Sequence, residues 1–484
     1  MNYKMIIHTL GRIFLVEAAL LVIPMLVGIL YGESNAAAFL IPMGLLLVIG
    51  AAAGIRAPKN TTIYAKEGLV IVAMAWILMS LFGAMPFVIS GEIPRFVDAF
   101  FETVSGFTTT GASILPNVEL LSQAMLFWRS FTHWVGGMGV LVFVMAVLPT
   151  TDGRAMHLMR AEVPGPTVGK LSSKLRDTAK ILYGIYLLLT VTEVVLLLLG
   201  GMPLYDALIH SFGSAGTGGF SNKALSVGAY DSVYAEVVIS VFMLLFGVNF
   251  NLYFLLLCRR FREALLSEEL IAYLCVVGAA IVAITWNLTS LMYSFGTSLR
   301  YALFQVSSII TTTGYATTDF SSWPELSRAI MVLLMFFGAC AGSTGGGLKI
   351  ARVVILLKTA VQDVRHMIHP HAVSVVRFEK KPLDEKTFRS VHVYFVLYIL
   401  LFGVSVLLLS LEHFDLITTF TAVASCLNNI GPGLELVGPM GNYSGFSDWG
   451  KLLLCWNMLL GRLEIYPILT MMVPLAWRRN RKKR

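Results

Sequence analysis

Four stretches of this chain, "VSGFTTTGAS", "FGSAGTGGFS", "SSIITTTGYA" and "ASCLNNIGPG", place glycine and hydroxyl groups at the ends of short apolar segments. The chain around them is 57% hydrophobic and only 13% charged, with several runs above the ~18 apolar residues that mark a membrane span. It is therefore read as a polytopic membrane protein. Each short segment offers about 12 residues before its glycine-containing stretch, roughly 18 Å of helix against a ~30 Å hydrocarbon core. It must enter the membrane and turn back. Irregular backbone at that depth is tolerated only when buried in protein or lining a water-filled cavity, because lipid satisfies neither N–H nor C=O groups. Four such segments imply a central polar path.

The four stretches align on Gly111, Gly219, Gly314 and Gly431, an internal repeat with a period of roughly 100 residues. Other positions follow the glycines. Two residues earlier stands a polar residue, Thr109, Thr217, Thr312 or Asn429, and six residues earlier a small one, Ser105, Gly213, Ser308 or Ser425. Asp98 and Asp206 open the first two segments, where a carboxylate can cap a helix; the other two lack the match. For one loop alone, Gly, Ser and Thr also suit helix packing. Four loops at corresponding places, each followed by another span, argue against that alternative.

These observations give an all-α membrane protein: two N-terminal helices, then four pseudo-repeats of helix, pore loop and helix around one central pore. The boundaries expected are 1–60 for the leading helices, about 13–31 and 37–54; 61–150 and 175–262 for repeats 1 and 2; 268–360 for repeat 3, with a broken second helix; 388–478 for repeat 4; and 479–484 for a basic tail. The formal charge of +8 falls in alternate loops, the pattern of the positive-inside rule, which argues against nucleic acid as a partner and places both termini in the cytoplasm. The five cysteines show no CxxC spacing, so neither a disulfide framework nor a zinc site is expected. A membrane-embedded enzyme is disfavoured by the lack of HExxH, GxSxG or clustered carboxylates, and no cofactor is called for.

A ring of backbone carbonyls can replace the hydration shell of a monovalent cation, and glycine permits the left-handed angles that turn carbonyls inward. The short helix before each loop would aim its partly negative end at the ion. The span after the third loop carries Gly338, Gly342, Gly345, Gly346 and Gly347, each costing about 1 kcal/mol in a helix, so a flexible loop is expected over 338–348. In "GSTGGGLKI" the lysine falls one place late for a nucleotide-binding P-loop, and Ile350 follows it. Lys349 is either a pore-facing charge or one that snorkels to the cytoplasmic interface. Arg462 and Glu464 lie inside the last span, where ionisable groups are costly: they either pair with each other or serve the pore. Glu193 is read as a hydrogen-bonded structural group, and His133 and His210 as satisfied interior histidines.

The pattern resembles the Trk/Ktr/HKT superfamily of potassium transporters, most closely its bacterial TrkH branch, over nearly the whole chain and including the two leading helices. The resemblance implies potassium uptake across the bacterial cytoplasmic membrane. It implies ion ligation by backbone oxygens of Thr109, Thr110 and Gly111; Thr217, Gly218 and Gly219; Thr312, Thr313 and Gly314; and Asn429, Ile430 and Gly431. Glycine at each filter position looks like the potassium-selective version, and the fourth loop departs from the threonine pattern. The resemblance further implies that the loop 338–348 is a movable gate beside Lys349. A matching family arginine favours Arg462 as the charge that narrows the path. It also implies a homodimer with a cytoplasmic TrkA-like ring of nucleotide-binding subunits, nucleotides binding that partner and not this chain. The basic segments 151–180 and 358–390 are either its candidate docking surfaces or solvated charge that faces the lipid headgroups. The competing expectation is K⁺/H⁺ or K⁺/Na⁺ symport, which needs a titrating group such as Glu193 or Glu464.

Overall fold

The computed structural model of the chain describes residues 1–56, 58–60, 63–139, 175–371 and 375–474. The basic residues Arg154, Arg160, Lys170 and Lys174, the end of repeat 1 beyond 139 and the tail 479–484 lie outside the described residues. Helices α1 (Tyr3–Leu30) and α2 (Leu40–Gly54) form the leading pair. Helix α1 starts at Tyr3 rather than near 13, because Asn2 caps it by accepting from Met5 N at 3.3 Å; hydropathy marks the apolar layer, not the helix end. The pair crosses at glycine, where a Cβ on Gly11 would lie 2.6 Å from Gly54 N.

Four units follow. The first contains α3 (Ala65–Ser90), α4 (Phe96–Phe107) and α5 (Gln123–Gly137). The second contains α6 (Leu175–Leu199), α7 (Leu204–Gly216), and α8 (Val233–Phe246) continued as α9 (Phe250–Leu257), with the short α10 (Phe261–Leu265) after it. The third contains α11 (Glu268–Leu291), α12 (Phe295–Ile310), α13 (Glu325–Phe337) and α14 (Ile350–Ile368). A two-stranded antiparallel hairpin, β1 (Arg377–Phe378) and β2 (Lys381–Pro382), leads to the fourth: α15 (Glu385–Leu409), α16 (Leu416–Asn428), α17 (Asp448–Arg462) and α18 (Tyr466–Met472). Among the described residues six helices are long and apolar enough to cross a membrane, seven if the bent pair α8/α9 is one span.

The re-entrant helices α4, α7, α12 and α16 have 12, 13, 16 and 13 residues, too short to span. Their starts differ from expectation. Asp98 and Asp206 sit inside the first turn behind Arg95 and Pro203, where a carboxylate favours the positive helix end but makes no capping hydrogen bond; Asp98 instead pairs with Lys451 at 2.6 Å, and Asp206 accepts from Asn222 at 2.7 Å. The side-chain caps belong to the other two units, where Ser294 accepts from Thr297 N and Asp415 from Thr418 N. A second difference concerns the long second helices. A break was expected only in unit 3, yet α8 and α9 meet at 90° across Gly247–Asn249, and α17 gives way to α18 across Leu463–Ile465.

Charged side chains join the units at each junction of the ring, as ion pairs at three and as a hydrogen bond to backbone at the fourth. Lys451 reaches Asp98 between units 4 and 1; Arg300 binds Glu236 at 2.6 Å between 3 and 2; Arg328 binds Glu435 at 2.5 Å between 3 and 4. Between units 1 and 2, Arg129 holds Glu102 at 2.5 Å and donates to Ser221 O at 3.2 Å. Several of these partners are buried, where removing one strands the other at a cost of about 3–5 kcal/mol.

The leading pair is fastened to unit 1 by Glu33, whose carboxylate accepts from Gln123 N at 2.7 Å and Ala124 N at 3.0 Å, the free first donors of α5. Glu33→Ala is expected to destabilise the protein by roughly 1–2 kcal/mol. The measurement is thermal unfolding in detergent, with Glu33→Gln keeping part of the loss back; equal midpoints for all three proteins would show that this cap does not hold the pair.

Candidate ion pathway

Each re-entrant helix ends in the same turn. The polar residue two before the aligned glycine is left-handed in all four units: Thr109, Thr217, Thr312 and Asn429 have φ of 54°, 55°, 60° and 56°. Its N–H returns to the carbonyl three residues back, Gly106, Ser214, Ile309 or Cys426. The next N–H, on Thr110, Gly218, Thr313 or Ile430, returns to the carbonyl of Ser105, Gly213, Ser308 or Ser425 at 2.8–3.0 Å. This is a Schellman ending with a side chain where glycine is usual, and the small residue six before the glycine is its acceptor. The aligned glycines are left-handed too, with φ of 79°, 74°, 84° and 103°.

The glycines close a ring. A Cβ on Gly111 would run into the carbonyl oxygen of Gly218, one on Gly219 into Thr313 O, and one on Gly314 into Ile430 O; on Gly431 it would lie 2.8 Å from Thr110 O. Each unit thus backs onto the next, and the fourth onto the first. The oxygen met is always the one just before the partner's glycine. Thr313 O also lies 3.8 Å from the Gly111 position although units 1 and 3 face each other across the ring, so these carbonyls converge on one narrow axis. An open cavity of ≈ 120 Å³ lies to one side, lined by Gly111, Gly219, Gly314 and Gly431 among others.

The twelve residues the resemblance assigned are brought together here, but unequally. The oxygens of Thr110, Gly218, Thr313 and Ile430 form the converging set. Gly431 O is turned into the protein, accepting from Ser425 Oγ at 2.6 Å and Tyr443 OH at 2.8 Å. Asn429 donates to Thr110 Oγ1 at 3.0 Å and to Met458 O at 2.9 Å, so its side chain ties unit 4 to unit 1. Thr312 Oγ1 accepts from Gly346 N at 2.7 Å, whereas Thr109 Oγ1 is buried with no protein partner. His133 buttresses the ring from behind: Nδ1 meets Gly106 O at 2.7 Å and its imidazole covers Gly218. His210 is bonded through both ring nitrogens, to Asp206 O and Ser221 Oγ.

On the other side of the ring lies a second, narrow cavity of ≈ 50 Å³, lined by Gly342, Gly345, Gly346, Gly347, Lys349, Gly461, Arg462 and Glu464. The segment from Gly338 to Lys349 between α13 and α14 is non-helical and packs directly beneath the converging carbonyls. Gly346 lies against Asn428 O, and a Cβ on Gly345 would be 3.0 Å from Thr311 O. Gly338 and Gly347 pack on one another at the neck, both with positive φ. Lys349 is 2% exposed and donates to Gly345 O, at the cavity wall rather than at the interface. Arg462 donates to Thr344 O at 2.8 Å, to Gly137 O at 2.7 Å and to Gly136 O. One guanidinium therefore links units 4, 3 and 1 across the path. Glu464 takes Arg352 at 2.6 Å, and that guanidinium stacks over Tyr394 at 4.0 Å.

Sequence reasoning missed Glu102 and Arg129, Tyr315 and Tyr443, and the Arg352–Glu464 pair. The signal existed for the charged ones, since ionisable residues inside apolar segments face the interior. Tyr315 gave none: its hydroxyl fills the space left by Gly213 and donates to His210 O at 3.0 Å, a contact made only in the folded ring.

Comparisons with known proteins agree with this architecture. The family model described as TrkH, cation transport protein, matches residues 36–478. The Trk system potassium uptake protein TrkH of Halomonas elongata is 34% identical, over 99% of this chain and 100% of that protein, and its namesake in Salmonella typhimurium is 35% identical with the same coverage. The crystal structure of the potassium transporter TrkH from Vibrio parahaemolyticus superposes with a TM-score of 0.89 at 32% identity, covering 99% of this chain and 100% of that one. The chain belongs to the TrkH family of cation transport proteins.

Proposed function

We propose that this chain takes up potassium across the bacterial cytoplasmic membrane, with both termini in the cytoplasm. The ion exchanges its water for the carbonyl oxygens of Thr110, Gly218, Thr313 and Ile430, assisted by the neighbouring filter residues. The single observation that carries this reading is the ring of four same-position carbonyls on one axis, with the adjoining N–H groups already spent on helix carbonyls. A site rich in acceptors and poor in donors suits a cation. The buried, unpartnered Thr109 Oγ1 adds an oxygen at the inner end, and the relatives' names specify potassium. The loop 338–348 is the gate, with Arg462 as its bolt. A cytoplasmic TrkA-like nucleotide-binding ring on a homodimer of this chain works the gate.

The reading makes the flux passive. In proteoliposomes the purified chain should carry Rb⁺ with no added substrate, and its current should reverse at the K⁺ equilibrium potential at every pH. A reversal potential that moves with the proton or Na⁺ gradient would replace passive conduction by coupled symport.

Gly314→Ser sets a side chain against Ile430 O at a residue with φ of 84° and should cost roughly tenfold in K⁺ over Na⁺ preference, about 1.4 kcal/mol. Wild-type flux and preference in that variant would remove the ring as the filter. Arg462→Met removes the donors to Thr344 O, Gly136 O and Gly137 O and should raise Rb⁺ flux several-fold without altering the preference; unchanged or lowered flux counts against the gate.

A further inference from the structure

The gating loop is held from outside its own unit by backbone groups that a continuous helix would have kept for itself. At the 90° bend between α8 and α9, Gly247 O accepts from Cys340 N at 3.0 Å and Phe250 N donates to Gly342 O at 3.1 Å. Thr344 Oγ1 adds a bond to Phe246 O at 3.3 Å. The bend thus clasps the loop on both sides of Ala341. Between these bonds, Ala341 N donates to Glu269 Oε1 at 2.5 Å. Glu269 lies in the first turn of α11 and is 5% exposed. Asn249 uses its own Oδ1 to cap α9 through Asn251 N at 3.0 Å.

The same corner of α11 is held on its other side by the hairpin β1/β2. Glu379, in the hairpin turn, accepts from Ser267 Oγ at 2.7 Å and from Glu269 N at 3.2 Å, while Glu379 N donates to Glu268 Oε2 at 3.0 Å. Lys358 of α14 closes the group by binding Glu268 and Arg377 O. Hydrogen bonds therefore run from an exposed hairpin carrying Arg377, Lys380 and Lys381, through the start of α11, to the middle of the loop.

We propose that Glu269 is a latch on the gating loop, and that the hairpin 377–382 is the lever that sets it. The inference rests on the gate reading above. Glu269 is a positioning residue: it touches no ion, and it lowers the open population by giving Ala341 N a side-chain acceptor that is within reach only while the loop is docked. Displacing the hairpin drags Glu379, and with it the Ser267–Glu269 turn, away from the loop. Whatever engages the hairpin from the cytoplasm acts through these two bonds.

The test compares Rb⁺ flux of the full-length protein with that of Glu269→Ala, Glu269→Gln, Glu379→Ala and the double alanine variant. Hydrogen exchange of peptides covering 338–348 is followed alongside. Glu269→Ala should raise flux about tenfold at unchanged K⁺ over Na⁺ preference, and Glu269→Gln, which keeps an acceptor oxygen, should restore most of the closed behaviour. Glu379→Ala should raise flux less, and the double variant should gain little over Glu269→Ala alone, because both act on one linkage. Amides of 338–348 should exchange faster in each alanine variant while the filter peptides stay protected. A Glu269→Ala protein with slow exchange and wild-type flux overturns the latch, and if Arg462→Met still raises flux the gate itself stands. If neither variant raises flux, the gate reading falls and the latch with it. Additive effects in the double variant overturn the lever and leave Glu269 as an isolated tie.

Discussion

The structure depends on how the end of a half-buried helix disposes of its hydrogen bonds. A helix finishes with four carbonyls in want of donors, and a loop that turns back inside a membrane brings both donors and acceptors that lipid cannot serve. At each of the four turns the loop's donors are given to the helix's carbonyls: Thr110 N to Ser105 O, Gly218 N to Gly213 O, Thr313 N to Ser308 O, Ile430 N to Ser425 O. These four donors are used up, while the carbonyl oxygens of the same residues are left over. Those surplus oxygens are what line the axis, and only water or a cation can satisfy them there. Cation preference is in this sense a residue of helix capping.

The arrangement requires strained backbone. Threonine in the left-handed region costs roughly 1–2 kcal/mol per residue, and three of the four turns carry it. Glycine there would be cheaper, so the side chain has work to do: Thr312 Oγ1 receives Gly346 N, and Asn429 binds Thr110 Oγ1 and Met458 O. The strain is held by the close ring of units and by the charge pairs at the junctions. Because Arg129 is bonded both to Glu102 in its own unit and to Ser221 O in the next, the first two loops keep one spacing.

Much of this was legible in the residues. The aligned glycines, the polar residue two before and the small residue six before are the left-handed glycine, the left-handed cap and the acceptor of the capping bond, three parts of one turn. The short length of the segments gave their re-entrant course, and five glycines in one span marked the loop at 338–348. What stayed hidden depends on partners distant in sequence. A lone Gly247 costs about 1 kcal/mol in a helix, too little to announce a right-angle bend; the bend exists because Cys340 and Gly342 bond to the backbone it exposes. Asp98 was read as a cap from its place near a helix start, and only the fold shows Lys451 standing opposite. Nor does the sequence reveal that Gly431 O, fourth in an otherwise even set, is consumed by Ser425 and Tyr443.

The fourfold plan is broken where the path narrows, and the break follows from the same accounting. Beneath the ring, Thr344, Gly136 and Gly137 belong to non-helical or terminal backbone, and Gly136 O also accepts from Gly139 N at 3.1 Å. They would form a second set of oxygens hospitable to a cation, but Arg462 already supplies one, fixed to the protein. A tethered guanidinium thus occupies the role a passing ion would take, and it binds the loop of unit 3 to unit 1 in doing so. On the proposed gate reading, opening requires water to replace those hydrogen bonds, and the five glycines of unit 3 would let that one quadrant rearrange while the other three keep the ring in register. On that reading, the polar excess that makes the ring hospitable to cations is, one layer below, what holds the path shut.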